Sequence, residues 1–90
     1  MEDPDHLIRE VGRRVLELRR GASMTQAGFA EAMQASVQYV SRIERGQENL
    51  TLHTLARIAN VLGVRVLDLL QPPADTVAEV RRGRPRKTPG

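Results

Sequence analysis

The sequence predicts an all-α protein, a compact five-helix domain with a flexible basic C-terminal extension. Three observations predict it. Apolar residues recur at three- and four-residue spacing through five successive segments, the period of a helix with one buried face. Ser, Thr or Gly stands at the boundaries between those segments, where helix caps belong. The interior must also be aliphatic, because 90 residues contain one Phe, one Tyr and no Trp. Leu, Val, Ile, Ala and Met are the residues that let short helices pack closely.

The first helix is expected over residues 5–20, with Ile8, Val11, Val15 and Leu18 on its inner face and Gly21 as its C-terminal stop. Thr25 caps a second helix, about 25–33, whose Phe29, Ala30 and Met33 turn inward. Gly28 within it costs about 1 kcal/mol relative to Ala, so this helix depends on its neighbours. Gln34 and Ala35 make a tight corner. Ser36 then caps a third helix, about 36–45, with Val40 and Ile43 inward and Gly46 in the left-handed position after it. Thr51 caps a fourth helix to about residue 62, with Leu52, Leu55, Ala56, Ala59 and Leu62 as its stripe. Gly63 ends it, and residues 66–70 form a short fifth helix stopped by Pro72 and Pro73, with Val66, Leu69 and Leu70 inward. The domain so predicted covers residues 1–74. Residues 75–90 lack an apolar stripe and read as a tail.

Charge also divides the chain, at residues 81–87. Arg81, Arg82, Arg84, Arg86 and Lys87 hold five of the 14 basic residues, so the other nine face all 11 acidic ones. Outside residues 81–87 the chain is slightly acidic, so any affinity the helical body has for a polyanion must come from a local patch. Without Cys there is neither a disulfide framework nor a thiolate metal site, and His6 and His53 have no partner at metal-ligand spacing. No cofactor or metal is expected, nor an enzyme, since no phosphate-cradling Gly loop or nucleophile–base set is present. No apolar run is long enough to span a membrane, and the acidic start, Met1-Glu2-Asp3-Pro4-Asp5, is unlike a signal peptide. A cytoplasmic, nucleoid-associated protein is expected.

Two short helices joined by a tight corner make a helix-turn-helix, although such hairpins also occur in bundles that bind no nucleic acid. The run Met24-Thr25-Gln26, Phe29-Ala30, Met33, Ser36, Val40-Ser41-Arg42-Ile43-Glu44-Arg45-Gly46 narrows the choice. It resembles the phage repressor/Cro family, or Xre-type helix-turn-helix domains. Leu52, Leu55-Ala56-Arg57-Ile58-Ala59 and Leu62-Gly63-Val64 extend the likeness forwards, and Val11-Gly12, Arg14-Val15 and Leu18-Arg19 extend it backwards, over about residues 8–70. The sequence departs from the family at Gln34 and Ser23, where Gly is usual, at Gly28 in place of an acid, and at Leu50 in place of Pro. At the corner, Gln34 is expected to take a positive φ with some strain.

The resemblance implies a Cro/repressor-like domain that binds double-stranded DNA, with the third helix in the major groove and the second crossing the backbone. Positions 37, 38, 41 and 42 share the face opposite Val40 and Ile43. There Arg42 suits guanine and Gln38 adenine, Val37 can meet a thymine methyl, and Ser41 a base or phosphate. An ordinary solvated face would use similar residues, but an exposed Val37 is better explained by a base contact. Backbone contacts are expected from Gln26, from the cap residues Thr25 and Ser36, and from Tyr39, Arg45, Asn49 and Thr51. By the family pattern Arg19 and Glu44 form a buried ion pair that ties the first helix to the third, so Glu44 is structural.

The tail Arg81-Arg82-Gly83-Arg84-Pro85-Arg86-Lys87 resembles an AT-hook. Gly83 allows close approach to the groove floor, Pro85 keeps the chain extended, and Arg82, Arg84 and Arg86 suit a narrow A·T minor groove. A merely basic tail would gain affinity by counterion release alone. A homodimer is expected, with an apolar patch at Leu50, Val61 and Leu67. The favoured function is a sequence-specific transcription regulator, a bare domain of the kind found in restriction–modification controller proteins. An antitoxin with a toxin as its main partner, and an architectural A·T-binding protein, are the alternatives. An RNA polymerase contact stays open.

Overall fold

The computed structural model describes residues 3–73. Five helices follow in order: α1 (Pro4–Gly21), α2 (Gln26–Met33), α3 (Val37–Glu44), α4 (Leu52–Leu62) and α5 (Val66–Leu69). Local chemistry sets their starts. Asp3 caps α1, with Pro4 in the first turn, where its missing N–H costs nothing. The hydroxyls of Thr25, Ser36 and Thr51 accept from the backbone N–H of Gly28 (2.9 Å), Tyr39 (3.0 Å) and Thr54 (3.1 Å). Each cap satisfies one of the N–H groups that a helix start leaves without a partner.

α1 packs across α3 and α5, α2 lies against α3 and α4, and α4 meets α5. Val15, Phe29, Val40, Ile58 and Leu69 are completely buried where these elements meet, with Met33 and Ile43 almost so. The single Phe therefore sits at the centre of an otherwise aliphatic core. Pro73 is buried as well, so the segment after α5 packs onto the domain besides stopping the helix. Two arginines bind distant carbonyls. Arg14 Nε donates to the Asp68 carbonyl at 2.7 Å, joining α1 to α5, and Arg57 Nη2 donates to the carbonyl of Met33 at the end of α2.

Three details differ from the sequence expectation. Gly21 remains helical, and the left-handed residue falls two positions later, on Ser23 (φ 58°). The reason lies in the bonds that follow α1. Ala22 N–H still reaches the Leu18 and Arg19 carbonyls, so the chain reverses only where Met24 N–H bonds back to Arg19. On α4, Leu52 is 79% exposed and Ala56 is also exposed, while Ile58 is buried. The inner stripe is thus centred on Leu55, Ile58 and Ala59, rotated from the expected one, because that is the face α4 turns to the core it shares with α2 and α5. Leu70 is the third: it follows the last turn of α5 and is 45% exposed instead of inward.

The corner behaves as expected. Gln34 has φ 57°, and Gly46 and Gly63 have φ 74° and 70°. Holding a non-glycine residue there costs about 1–2 kcal/mol. The corner keeps it because the Gln34 and Ala35 N–H groups close onto Glu31 and Ala30, redirecting the chain into α3. The basic tail, with Arg82, Gly83, Arg84, Pro85 and Arg86, lies outside the described residues. Among those described, no helix is long and apolar enough to cross a membrane.

Candidate nucleic-acid interface

α3 divides sharply between support and display. Val40, Ile43 and Glu44 face inward and are buried. On the other side Val37 and Gln38 are exposed, and Ser41 and Arg42 are half-exposed. This follows from helical spacing, since residues 37, 38, 41 and 42 lie one turn apart or adjacent. With Gln26 and Arg45 they line one shallow groove. A second groove, beside it, brings Arg20 and Thr25 up to Gln26, Ser41 and Arg45. A largely polar and basic surface therefore runs from the start of α2 along the outer face of α3.

The base under this surface is an ion pair. Arg19 Nε donates to Glu44 Oε2 at 2.6 Å and Nη2 donates to Oε1 at 3.2 Å, in a forked arrangement. Both residues are only 7% exposed. Arg19 Nη1 also donates to the Met24 carbonyl at 2.8 Å, and Gln26 Nε2 donates to Glu44 Oε1 at 2.9 Å. The Arg19–Glu44 pair thus holds the end of α1, the turn before α2 and the first residue of α2 against α3. Charged donors and acceptors make such bonds shorter and stronger than neutral ones, and the fork fixes direction as well as distance.

Gln26 is thus partly committed to the interior, and one amide proton and its carbonyl oxygen remain for an outside partner. Thr25 and Ser36 are exposed, and their hydroxyls already serve as caps. Arg45 is exposed, and its Nε reaches only the Ser41 carbonyl, at 3.4 Å. Asn49 and Thr51 are exposed in the loop after α3. Tyr39 is half-buried, with the Arg42 guanidinium 5.8 Å from its ring centre. Leu67 stands 56% exposed on α5, whereas Leu50 and Val61 are half-buried against the core. Leu50 instead shares an apolar groove with Leu7, Ile8, Leu55 and Leu70.

Sequence reasoning missed Arg20, which lines the second groove, and Glu48, which meets the outer face of α3 through Arg42. Glu48, in the α3–α4 loop, accepts from Arg42 Nε through Oε2 at 2.6 Å. No motif marks it, because the pair joins a helix to an irregular loop and has no regular spacing to betray it.

A helix, a left-handed corner and a second helix that displays polar and basic side chains from a rigid base define a helix-turn-helix DNA-binding domain. The HTH_3 helix-turn-helix family model matches residues 15–69, more than half of the chain, and the chain belongs to this family. It is 41% identical over 58 residues to the HTH-type transcriptional regulator DdrOP3 of Deinococcus deserti, covering 64% of this chain and 45% of that protein. It is 38% identical over 66 residues to the uncharacterized HTH-type transcriptional regulator y4dJ of Sinorhizobium fredii, covering 73% of this chain and 86% of that protein. Among solved structures, the restriction-modification controller protein C.AhdI from Aeromonas hydrophila superposes with a TM-score of 0.66 at 29% identity, over 69% of this chain and 94% of that one. Residues 15–69 form a DNA-binding domain of the kind found in transcription regulators.

Proposed function

We propose that the protein is a sequence-specific transcription regulator that lays α3 in the major groove of double-stranded DNA. The observation that carries this reading is the split of α3 into a buried anchor and an exposed face of Val37, Gln38, Ser41 and Arg42. Gln38 can bond both N6 and N7 of adenine, Arg42 matches O6 and N7 of guanine, and Val37 offers a surface for a thymine methyl. Thr25, Gln26, Ser36, Tyr39, Arg45, Asn49 and Thr51 surround that face and set its height above the phosphates. The basic tail adds grip in an adjacent A·T-rich minor groove. The chain works by binding and not by catalysis, in the cytoplasm.

Selection from a randomised duplex pool tests the reading. The full chain is expected to enrich a defined sequence, and Gln38→Ala combined with Arg42→Ala is expected to lose that preference. Each lost bidentate contact relaxes discrimination by about 1–3 kcal/mol. Enrichment of the same sequence by the double variant would remove α3 from the reading role and leave the helix pair as a scaffold for the tail. Repeating the selection with residues 1–74 measures what the tail contributes.

The protein acts as a homodimer in this proposal. Leu67, Leu70 and the groove at Leu50 present apolar surface that a second copy can cover. Sedimentation is expected to show a species of about twice the 10.0 kDa chain mass at micromolar concentration. A single 10.0 kDa species at every concentration would refute the dimer.

A further inference from the structure

We infer that Glu48 is a positioning residue for DNA reading, holding Arg42 so that its two terminal nitrogens point at one guanine. This rests on the proposal that α3 reads bases. Arg42 lines the reading groove with Val37, Gln38 and Ser41. Its side chain would otherwise be a long, mobile one, with much rotamer freedom to lose on binding. Two contacts restrict it beforehand. The Glu48 carboxylate takes the Nε proton at 2.6 Å, and the guanidinium lies 5.8 Å from the centre of the Tyr39 ring.

The choice of nitrogen matters. An arginine has three hydrogen-bonding edges, and a carboxylate that takes Nη1 and Nη2 together would block the end that meets a base. Glu48 binds at Nε, on the inner part of the side chain, and among the described residues no other hydrogen bond engages the Arg42 guanidinium. Both Nη groups are left for O6 and N7 of guanine. The Glu48 side chain is 25% exposed and that of Arg42 43%, so the tether is sheltered while the arginine head remains accessible.

Glu48 also carries a cost that an incidental surface residue would not explain. It is a negative charge beside the proposed DNA-facing helix, where it repels phosphates. The result is a trade in which general affinity for DNA falls and discrimination among base pairs rises.

The test uses the full chain and the duplex it selects from a randomised pool, with 7-deazaguanine, which lacks the N7 acceptor, placed at each guanine in turn. Wild-type protein is expected to lose about tenfold in affinity at the guanine met by Arg42. Arg42→Ala is expected to abolish that sensitivity. Glu48→Ala is expected to reduce it to about threefold while binding unrelated duplexes more tightly, and Glu48→Gln, which keeps an acceptor for Nε, is expected to fall between. Thermal melting checks that each variant is folded, and Glu48→Gln replaces Glu48→Ala if the alanine variant is not. If Arg42→Ala leaves the 7-deazaguanine sensitivity intact, the base-reading role of Arg42 fails. If Arg42→Ala abolishes it but Glu48→Ala retains the full tenfold effect, Glu48 is only a surface charge and the inference alone is overturned. Increased sensitivity in Glu48→Ala also overturns it, by showing that Glu48 withholds Arg42 from DNA.

Discussion

Glu44→Ala is expected to lower the free energy of unfolding by about 3–5 kcal/mol, because it leaves the Arg19 guanidinium buried without its counter-charge. A domain of this size has about 5–15 kcal/mol in total, so the variant is expected to be close to its folding threshold at 37 °C. The loss extends beyond one pair. Glu44 accepts from Arg19 twice and from Gln26 once, and its removal also frees the start of α2. Replacing Arg19 and Glu44 together with methionine is expected to be much less damaging, since no charge is then stranded. Denaturant unfolding of the two variants checks both statements. An unchanged midpoint for Glu44→Ala would mean that water reaches the Arg19 head freely and that the pair does not anchor α3.

Gly12→Ala is the second large effect. A Cβ on Gly12 would run into the Ile43 carbonyl oxygen and lie 3.0 Å from that of Glu44. Neither oxygen belongs to a flexible side chain, so α1 and α3 must move apart. Overpacking in a tight interior costs about 1–3 kcal/mol, and a clash of backbone against backbone belongs at or above the upper end. The expected outcome is a fall of about 3 kcal/mol in unfolding free energy, read from denaturant titration, accompanied by weaker binding to the selected duplex because α3 changes its tilt. If stability is retained, the α1–α3 crossing is more compliant than its spacing implies.

The parts of the fold visible in the sequence are those decided by residues near one another in the chain. Thr25, Ser36 and Thr51 are recognisable as caps because each hydroxyl bonds a backbone group three residues ahead. The inward set Val40 and Ile43, and the exposed set 37, 38, 41 and 42, follow from the helical repeat alone. The stripe of α4 was only half legible. Periodicity shows that an apolar face exists, but the neighbours decide where its centre lies, and α2 and α5 select Leu55, Ile58 and Ala59 over Leu52 and Ala56. Contacts between distant segments left less trace. The Arg14 bond to the Asp68 carbonyl spans 54 residues, and the close approach of Gly12 to Ile43 joins separate helices. The Arg42–Glu48 pair is near in sequence, yet it depends on a loop path that composition does not encode.

The arrangement of α3 bears on how such a protein can change over evolutionary time. The residues that hold the helix and the residues it displays are different sets, interleaved along the same turns. Substitutions at 37, 38, 41 and 42 touch little of the core, so on the proposed reading target preference can drift with little effect on the fold. The Arg19–Glu44–Gln26 network meanwhile keeps the new surface at the old height and angle. Under the proposed function, a lineage carrying this chassis could change its operator through four side chains that carry little of the core.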